Sequence, residues 1–321
     1  MTLTRASNDT LDLVARTEFD GPVFEFDLAG LEIGCAEYAE GATGCTVFYF
    51  PAGASLESDI RGGSPGTLGS GYEWVDAICL AGGSLYGLEA VGGVAAELFA
   101  RREYRTGWLD IPLVAGAIIF DYGPRDNAVY PDKELGRAAL RAARPVVFPL
   151  GMCGAGRSAA VGKTFGLDGL EPAGQGAAFR RIGQTRIAVF TVVNAVGAII
   201  GRDGTVVRGH LDAATGLRRS LVPGVEERVA AGVPVHPPPG NTTLTVVVTN
   251  QKLNARLLRT LGRQVHASMA RAIQPFHTLV DGDVLFTVST NEVEHPALES
   301  IGLGIVASEL AWDAVLAAVP Q

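Results

Sequence analysis

Apolar and polar positions along this chain follow two different periods, and the cleanest pattern begins after residue 241. Residues 243–249 are a run rich in β-branched side chains, the composition of a buried strand. Leu253, Leu257, Leu261, Val265 and Met269 then recur at every fourth position, which predicts a helix over 252–273. Residues 284–290 read as a second strand and 297–319 as a second helix. The tail is therefore expected to run strand, helix, strand, helix.

Ahead of it the signals are shorter. Residues 23–26 and 31–38 read as strands around the Ala29-Gly30 turn, and 46–50, 114–120, 186–193 and 198–200 as further strands, with Asp203-Gly204 as a turn. Ala81-Gly82-Gly83 opens a helical pattern over 85–101. A second helix is predicted over 132–143, with Asp132 near its start and Pro145 beyond its end. Residues 150–183 are glycine-rich and show no dominant period, and 1–20 read as a loose arm. The sharpest shift falls at 232–241, Gly-Val-Pro-Val-His-Pro-Pro-Pro-Gly-Asn. Three consecutive prolines fit neither a helix nor a central strand, so this is an exposed extended connector.

Composition narrows the class. With 321 residues and 47% apolar content, the chain can bury one large core or two smaller ones. Its apolar runs are broken by glycine or charge before about 20 residues, so no membrane span is expected. Residues 1–16 hold no apolar signal-peptide core, and the expected location is cytoplasmic. Four cysteines without a CxxC pair point to free buried thiols rather than to zinc or a disulfide framework. A net charge of −8 argues against nucleic acid, and Arg180-Arg181, Arg101-Arg102 and Arg218-Arg219 build no basic stripe.

Three candidate sites fail on spacing. Gly156 to Thr164 imitates a phosphate-binding loop, but Arg157 stands where its first glycine belongs and no helix-forming sequence follows. Gly82-Gly83-Ser84-Leu85-Tyr86-Gly87 imitates a nucleophile elbow, but Tyr86 replaces the last glycine, leaving a glycine turn into a helix. The five histidines form no HxxxH or HExxH, so no metal is expected. The fourth candidate is Gly240-Asn241-Thr242-Thr243, at the junction of connector and strand. A threonine hydroxyl is a poor nucleophile without a base. A cut before Thr242 would free an α-amine with an ordinary pKa of about 7.7–8.0 to serve as one.

Asn241-Thr-Thr before a β-branched strand, Gln264-Val-His-Ala-Ser-Met, Ile273-Gln-Pro-Phe-His-Thr and Asp281-Gly-Asp283 resemble the peptidase family of D-aminopeptidases and β-aminopeptidases. They are most similar to its 6-aminohexanoate-oligomer endohydrolase branch. Ile78-Cys-Leu-Ala-Gly-Gly, Tyr104-Arg-Thr-Gly, Ala128-Val-Tyr-Pro-Asp-Lys, Gly174-Gln-Gly-Ala-Ala-Phe-Arg-Arg and Ala307-Ser-Glu-Leu-Ala-Trp-Asp-Ala-Val extend the likeness over nearly the whole chain.

The resemblance implies an α/β fold, a four-layer αββα sandwich of the N-terminal-nucleophile-hydrolase kind. It implies one domain autoprocessed into an α fragment, 1–241, and a β fragment, 242–321, with the cut between Asn241 and Thr242. It implies Thr242 as nucleophile, Asp281 and Asp283 beside it, Lys163 completing a charged cluster, and Asn194 offering its amide to an oxyanion. It implies no cofactor, an amide substrate, and a homo-oligomer of αβ units, a tetramer. One position departs from the branch: Phe120 stands where a tyrosine is expected, and Tyr122, two residues on along a strand, is the candidate to supply its hydroxyl. The substrate is expected to be a 6-aminohexanoate oligomer cut internally, possibly polyamide itself. The rivals are an aminopeptidase for D- or β-amino acids and a non-catalytic binding protein of the same fold.

Overall fold

The structure is a computed structural model, and it describes residues 5–123, 125–238 and 240–320. Eight strands carry the architecture: β1 (Glu32–Tyr38), β2 (Thr43–Ile60), β3 (Trp74–Ala81), β4 (Val114–Ile118), β5 (Gln175–Ile182), β6 (Thr185–Asn194), β7 (Thr242–Gln251) and β8 (Val284–Val293). The helices are α1 (Glu89–Arg101), α2 (Lys133–Arg141), α3 (Leu221–Ala230), α4 (Ala255–Ser268) and α5 (Ser300–Ala317).

The strands hydrogen-bond in the order β5-β6-β7-β8-β2-β3-β4, and β1 pairs with the first half of β2. β7 and β8 run parallel, as do β3 and β4; α4 and α1 lie in the respective crossovers. β2 is the hinge of the architecture. Residues 43–49 pair with β1, 55–60 pair with β8, and the register with β3 shifts between Tyr49 and Ala54. One long strand therefore belongs to both halves of the sheet. Phe190, Val246 and Phe286 from one half meet Phe48, Ile78 and Ala117 from the other in the inner core. The outer face of β5–β8 packs on α4 and α5, and the outer face of β1–β4 on α1 and α2. This is the expected αββα sandwich. Alternate residues of β7 serve two cores: Leu244, Val246 and Val248 face inward while Val247 faces the helices. A strand buried on both faces reads as a continuous apolar run.

Several sequence expectations change. The segment expected at 46–50 is part of an 18-residue strand, interrupted in sequence by Pro51 and Gly53. Strands β3 and β5 and helix α3 were not anticipated. The arm is docked over its described residues. Ala15–Arg16 pairs with Tyr38 and Glu37, Arg5 donates to the Arg125 and Asp126 carbonyls, and the Asn8 amide bonds Tyr130 and Asp132. Helix α5, contrary to the reading of the apolar runs, is long and apolar enough to cross a membrane by length and composition. Here it is a core helix, with Leu303, Ala307, Leu310, Ala311, Ala314 and Val315 buried in the outer core over β5 and β6.

Phe190 lies at the centre of the inner core, with ring centroids 5.3 Å from Phe26, 5.2 Å from Phe48 and 5.0 Å from Phe148. Phe190→Ala is expected to lower unfolding free energy by about 3–5 kcal/mol, the cost of a large core deletion. Urea unfolding checks this; a loss under about 1 kcal/mol would mean that the two sheet halves do not share this core.

Candidate active site

The first residues of β7 are placed by the turn that precedes β8. Asn241 N–H donates to the Val280 carbonyl at 3.0 Å, and Gly282 N–H donates to the Asn241 carbonyl at 2.7 Å. A Cβ on residue 282 would collide with the Ser64 carbonyl, so only glycine lets the loop after β2 close over this turn. That loop holds it through Arg61 N–H on the Asp283 carbonyl at 2.8 Å and Ser64 N–H on the Asp281 carbonyl at 3.0 Å. Thr242 is the end partner of Asn194 in the β6–β7 ladder. Its hydroxyl donates to the Asn241 carbonyl at 2.6 Å, so this one oxygen receives both Thr242 Oγ1 and Gly282 N–H.

Asp281 and Asp283 are both fully buried. Asp281 accepts from Val196 N–H at 3.3 Å, Thr278 N–H at 2.9 Å and Thr278 Oγ1 at 2.5 Å. Asp283 accepts from Thr243 N–H at 2.7 Å on one oxygen. On the other it accepts from His277 N–H at 3.2 Å and lies 2.8 Å from His277 Nδ1. Burial pushes the Asp283 carboxyl up to about 6, with the Asp281 charge adding to the rise and the His277 bond opposing it.

Lys163 is buried, its backbone N–H on the Val196 carbonyl at 2.7 Å. Its ammonium donates to Asn194 O at 3.2 Å and Oδ1 at 2.8 Å. Burial pulls its pKa down to about 7, against the opposing charges of Asp281 and Asp121. Asn194 Oδ1 also accepts from Ala160 N–H at 3.1 Å, and its Nδ2 donates to the Phe120 carbonyl at 2.8 Å.

The fold thus brings Thr242, Asp281, Asp283, Lys163 and Asn194 into one buried patch, with three differences from expectation. Among the described residues Lys163 makes no direct ion pair with either aspartate, because its donors go to Asn194 while backbone amides, Thr278 and His277 satisfy the carboxylates. The Asn194 amide is turned by Lys163 and Ala160 so that Nδ2 meets Phe120; the Asn241 carbonyl accepts from Gly282 N–H and Thr242 Oγ1 instead. Tyr122 does not return to the face of Phe120, because β4 ends at Ile118. The Tyr122 hydroxyl donates to the Ala128 carbonyl at 3.2 Å, beside Tyr86 and Arg125. Phe120 is the residue at the junction: a Cβ on Gly240 would run into its ring. Residues 82–87 form the expected glycine turn, a short 3-10 segment leading into α1.

Two participants were missed. Asp121 is buried against Gly83 N–H at 2.9 Å, Ser158 Oγ at 2.5 Å and Arg125 at 3.3 Å; no motif singled it out. His277 had been passed over with the other histidines. Its signal was its place inside Ile273-Gln-Pro-Phe-His-Thr, four residues before Asp281.

A family model described as Peptidase family S58 matches residues 26–320. The chain belongs to Peptidase family S58. It is 49% identical to a 6-aminohexanoate-oligomer endohydrolase of Agromyces sp. (strain KY5R), over 97% of this chain and 90% of that one. It is 48% identical to the protein of the same name from Paenarthrobacter ureafaciens, with the same coverage. The solved L-aminopeptidase D-Ala-esterase/amidase of Ochrobactrum anthropi, described as a variant of the Ntn hydrolase fold, matches with a TM-score of 0.66. That match covers 94% of this chain and 88% of that one at 15% identity, a likeness of fold.

The buried charges of this S58 chain set its pH response. Folded Lys163 titrates near 7 and the ordinary lysine value is 10.5, so between them the unfolded state holds the extra proton and stability rises with pH. Asp283 acts oppositely. Raised from 3.8 to about 6, it favours the folded state at low pH, and that contribution is lost as pH rises through 6. In a Thr242→Ala background, Lys163→Met is expected to be most favourable relative to Lys163 at or below pH 7, and to lose that advantage towards pH 10. Urea midpoints across this range check it; a pH-independent difference would show that Lys163 is not held neutral by burial.

Proposed function

We propose that this chain hydrolyses internal amide bonds of linear 6-aminohexanoate oligomers, with Thr242 as nucleophile after self-cleavage between Asn241 and Thr242. The observation that carries the reading is the doubly bonded Asn241 carbonyl. In self-cleavage Thr242 Oγ1 adds to that carbonyl carbon and the oxygen becomes an oxyanion on Gly282 N–H. A preorganised donor of this kind is worth roughly 3–4 kcal/mol. Collapse breaks the peptide C–N bond, with the proton passing to the new amine, and leaves an ester. Water then hydrolyses the ester, releasing the Asn241 carboxylate and a free Thr242.

The base in the uncut chain is Lys163. It lies against Asn194, the ladder partner of Thr242, and burial keeps much of it neutral at neutral pH. In the cut enzyme the Thr242 amine takes over as base, the substrate carbonyl occupies the place of Asn241, and Gly282 N–H again receives the oxyanion. Asn241 and Thr242 are both buried in the uncut chain, so substrate reaches Thr242 only after the Asn241 end leaves. Asn241 Oδ1 is buried without a partner among the described residues, which favours that departure.

The two fragments stay joined because 242–321 supplies β7, α4, β8 and α5 to the shared sandwich. We read the assembly as a homotetramer of such αβ units, in line with the exposed Trp108, Leu109 and Ile111.

The test is mass spectrometry of products from a long 6-aminohexanoate oligomer. Internal fragments are expected from the wild type and none from Thr242→Ala. Stepwise loss of single units from the amino end would instead identify an aminopeptidase. Hydrolysis by Thr242→Ala would overturn the nucleophile assignment.

A further inference from the structure

His277 stands outside the nucleophile, base and oxyanion donor, yet its geometry is tied to theirs. Its backbone is in the left-handed region, φ 59°, uncommon for a residue with a side chain. That conformation brings backbone N–H and Nδ1 onto the same oxygen of Asp283, at 3.2 and 2.8 Å. The other Asp283 oxygen accepts Thr243 N–H at 2.7 Å, the peptide that immediately follows the nucleophile. The ring is fixed by its neighbours. Phe276 stacks on it with centroids 3.9 Å apart, and His266 from α4 meets it edge-on at 4.4 Å. His266 is itself anchored, Nδ1 to Asp59 at 2.9 Å, and Arg61 holds that aspartate at 2.7 Å. The charged and titratable groups facing His277 are therefore Asp283 and, across α4 and the end of β2, His266 with its Asp59–Arg61 pair.

We propose that His277 is a positioning residue for this hydrolase, clamping the Asp283 carboxylate so that it aligns the Thr242–Thr243 peptide. The inference rests on the reading of Thr242 as nucleophile. The physical need is clear. Asp281 and Asp283 are buried two residues apart, and two carboxylates so close resist being charged together. Without the imidazole the carboxylate keeps only its backbone donors, one at 2.7 Å and one at 3.2 Å, and takes up a proton more readily; the ring at 2.8 Å fixes its second oxygen. Nδ1 is the donor in this arrangement. Nε2 is buried and without a partner among the described residues. Removing the imidazole leaves burial and Asp281 opposed by backbone donors alone, so the Asp283 carboxyl moves further up and an activity that needs its charge retreats to higher pH.

The experiment compares H277A, H277N and H277Q with wild type and Thr242→Ala. An asparagine amide places an N–H near the position of Nδ1 and tolerates the left-handed backbone; a glutamine amide reaches the position of Nε2 instead. The readouts are the rate of fragment formation, and kcat and KM against pH for the matured protein. H277A is expected to lose about 10-fold or more in kcat with KM nearly unchanged, and to show an acid limb displaced to higher pH. H277N is expected to recover most of both, and H277Q neither. Wild-type kcat and pH limb in H277A would overturn the proposal. So would equal rates in H277N and H277Q, the comparison that decides if H277A does not fold. An active Thr242→Ala would remove the reading beneath the proposal and the proposal with it. A dead Thr242→Ala beside a wild-type H277A would remove the proposal alone.

Discussion

The hydrogen bond from Gly282 N–H to the Asn241 carbonyl joins the two ends of this site, and most of the surrounding structure serves to hold it. It requires the turn before β8 to lie flat against the chain entering β7, which in turn requires glycine at 282 under the Ser64 carbonyl. Parallel pairing of β7 with β8 then carries the alignment from the turn into the sheet, Leu244 opposite Val284 and onward. Antiparallel pairing of β7 with β6 sets Asn194 opposite Thr242 and so brings Lys163 to the Thr242 end of the ladder. The proposed site sits where two ladders end, on strands rather than on free loops.

Burial is the second constraint. Two carboxylates and an amine buried in an apolar sandwich are expensive to keep charged. The structure gives each group fixed hydrogen bonds, and burial moves Lys163 down to about 7 and Asp283 up to about 6. A group whose pKa lies near neutral pH can give or take a proton at little cost, the property asked of Lys163 in the proposed self-cleavage. The αββα layers supply the dry surroundings: β7 is buried along its whole length, one face in the inner core and the other under α4 and α5.

Much of this was legible in the sequence. The β-branched run after Asn241 and the fourfold spacing through Leu253, Leu257 and Leu261 correctly place β7 and α4, because their patterns are continuous. β2 was cut short because Pro51 and Gly53 interrupt its pattern at the bend that lets it serve both sheet halves. β5 was invisible because Gln175-Gly-Ala-Ala carries side chains too small to show a period. The residues of the candidate site were named through family motifs; their hydrogen-bond partners were not legible. Pairing Lys163 with Asn194 rather than with an aspartate depends on the backbone of Val196. The Phe120 ring on Gly240 depends on where β4 stops. His266 and His277, eleven residues apart, meet only because the chain turns back after α4.

On the proposed mechanism, this geometry cuts its own chain at the peptide whose carbonyl Gly282 holds. Intact-mass measurement on freshly purified protein, under denaturing conditions and followed over time, tests it most directly. Conversion of one 321-residue species into two is expected, residues 1–241 and 242–321, with the smaller beginning at Thr242. A fully active chain of undiminished mass, or a smaller fragment beginning at any other residue, would contradict it.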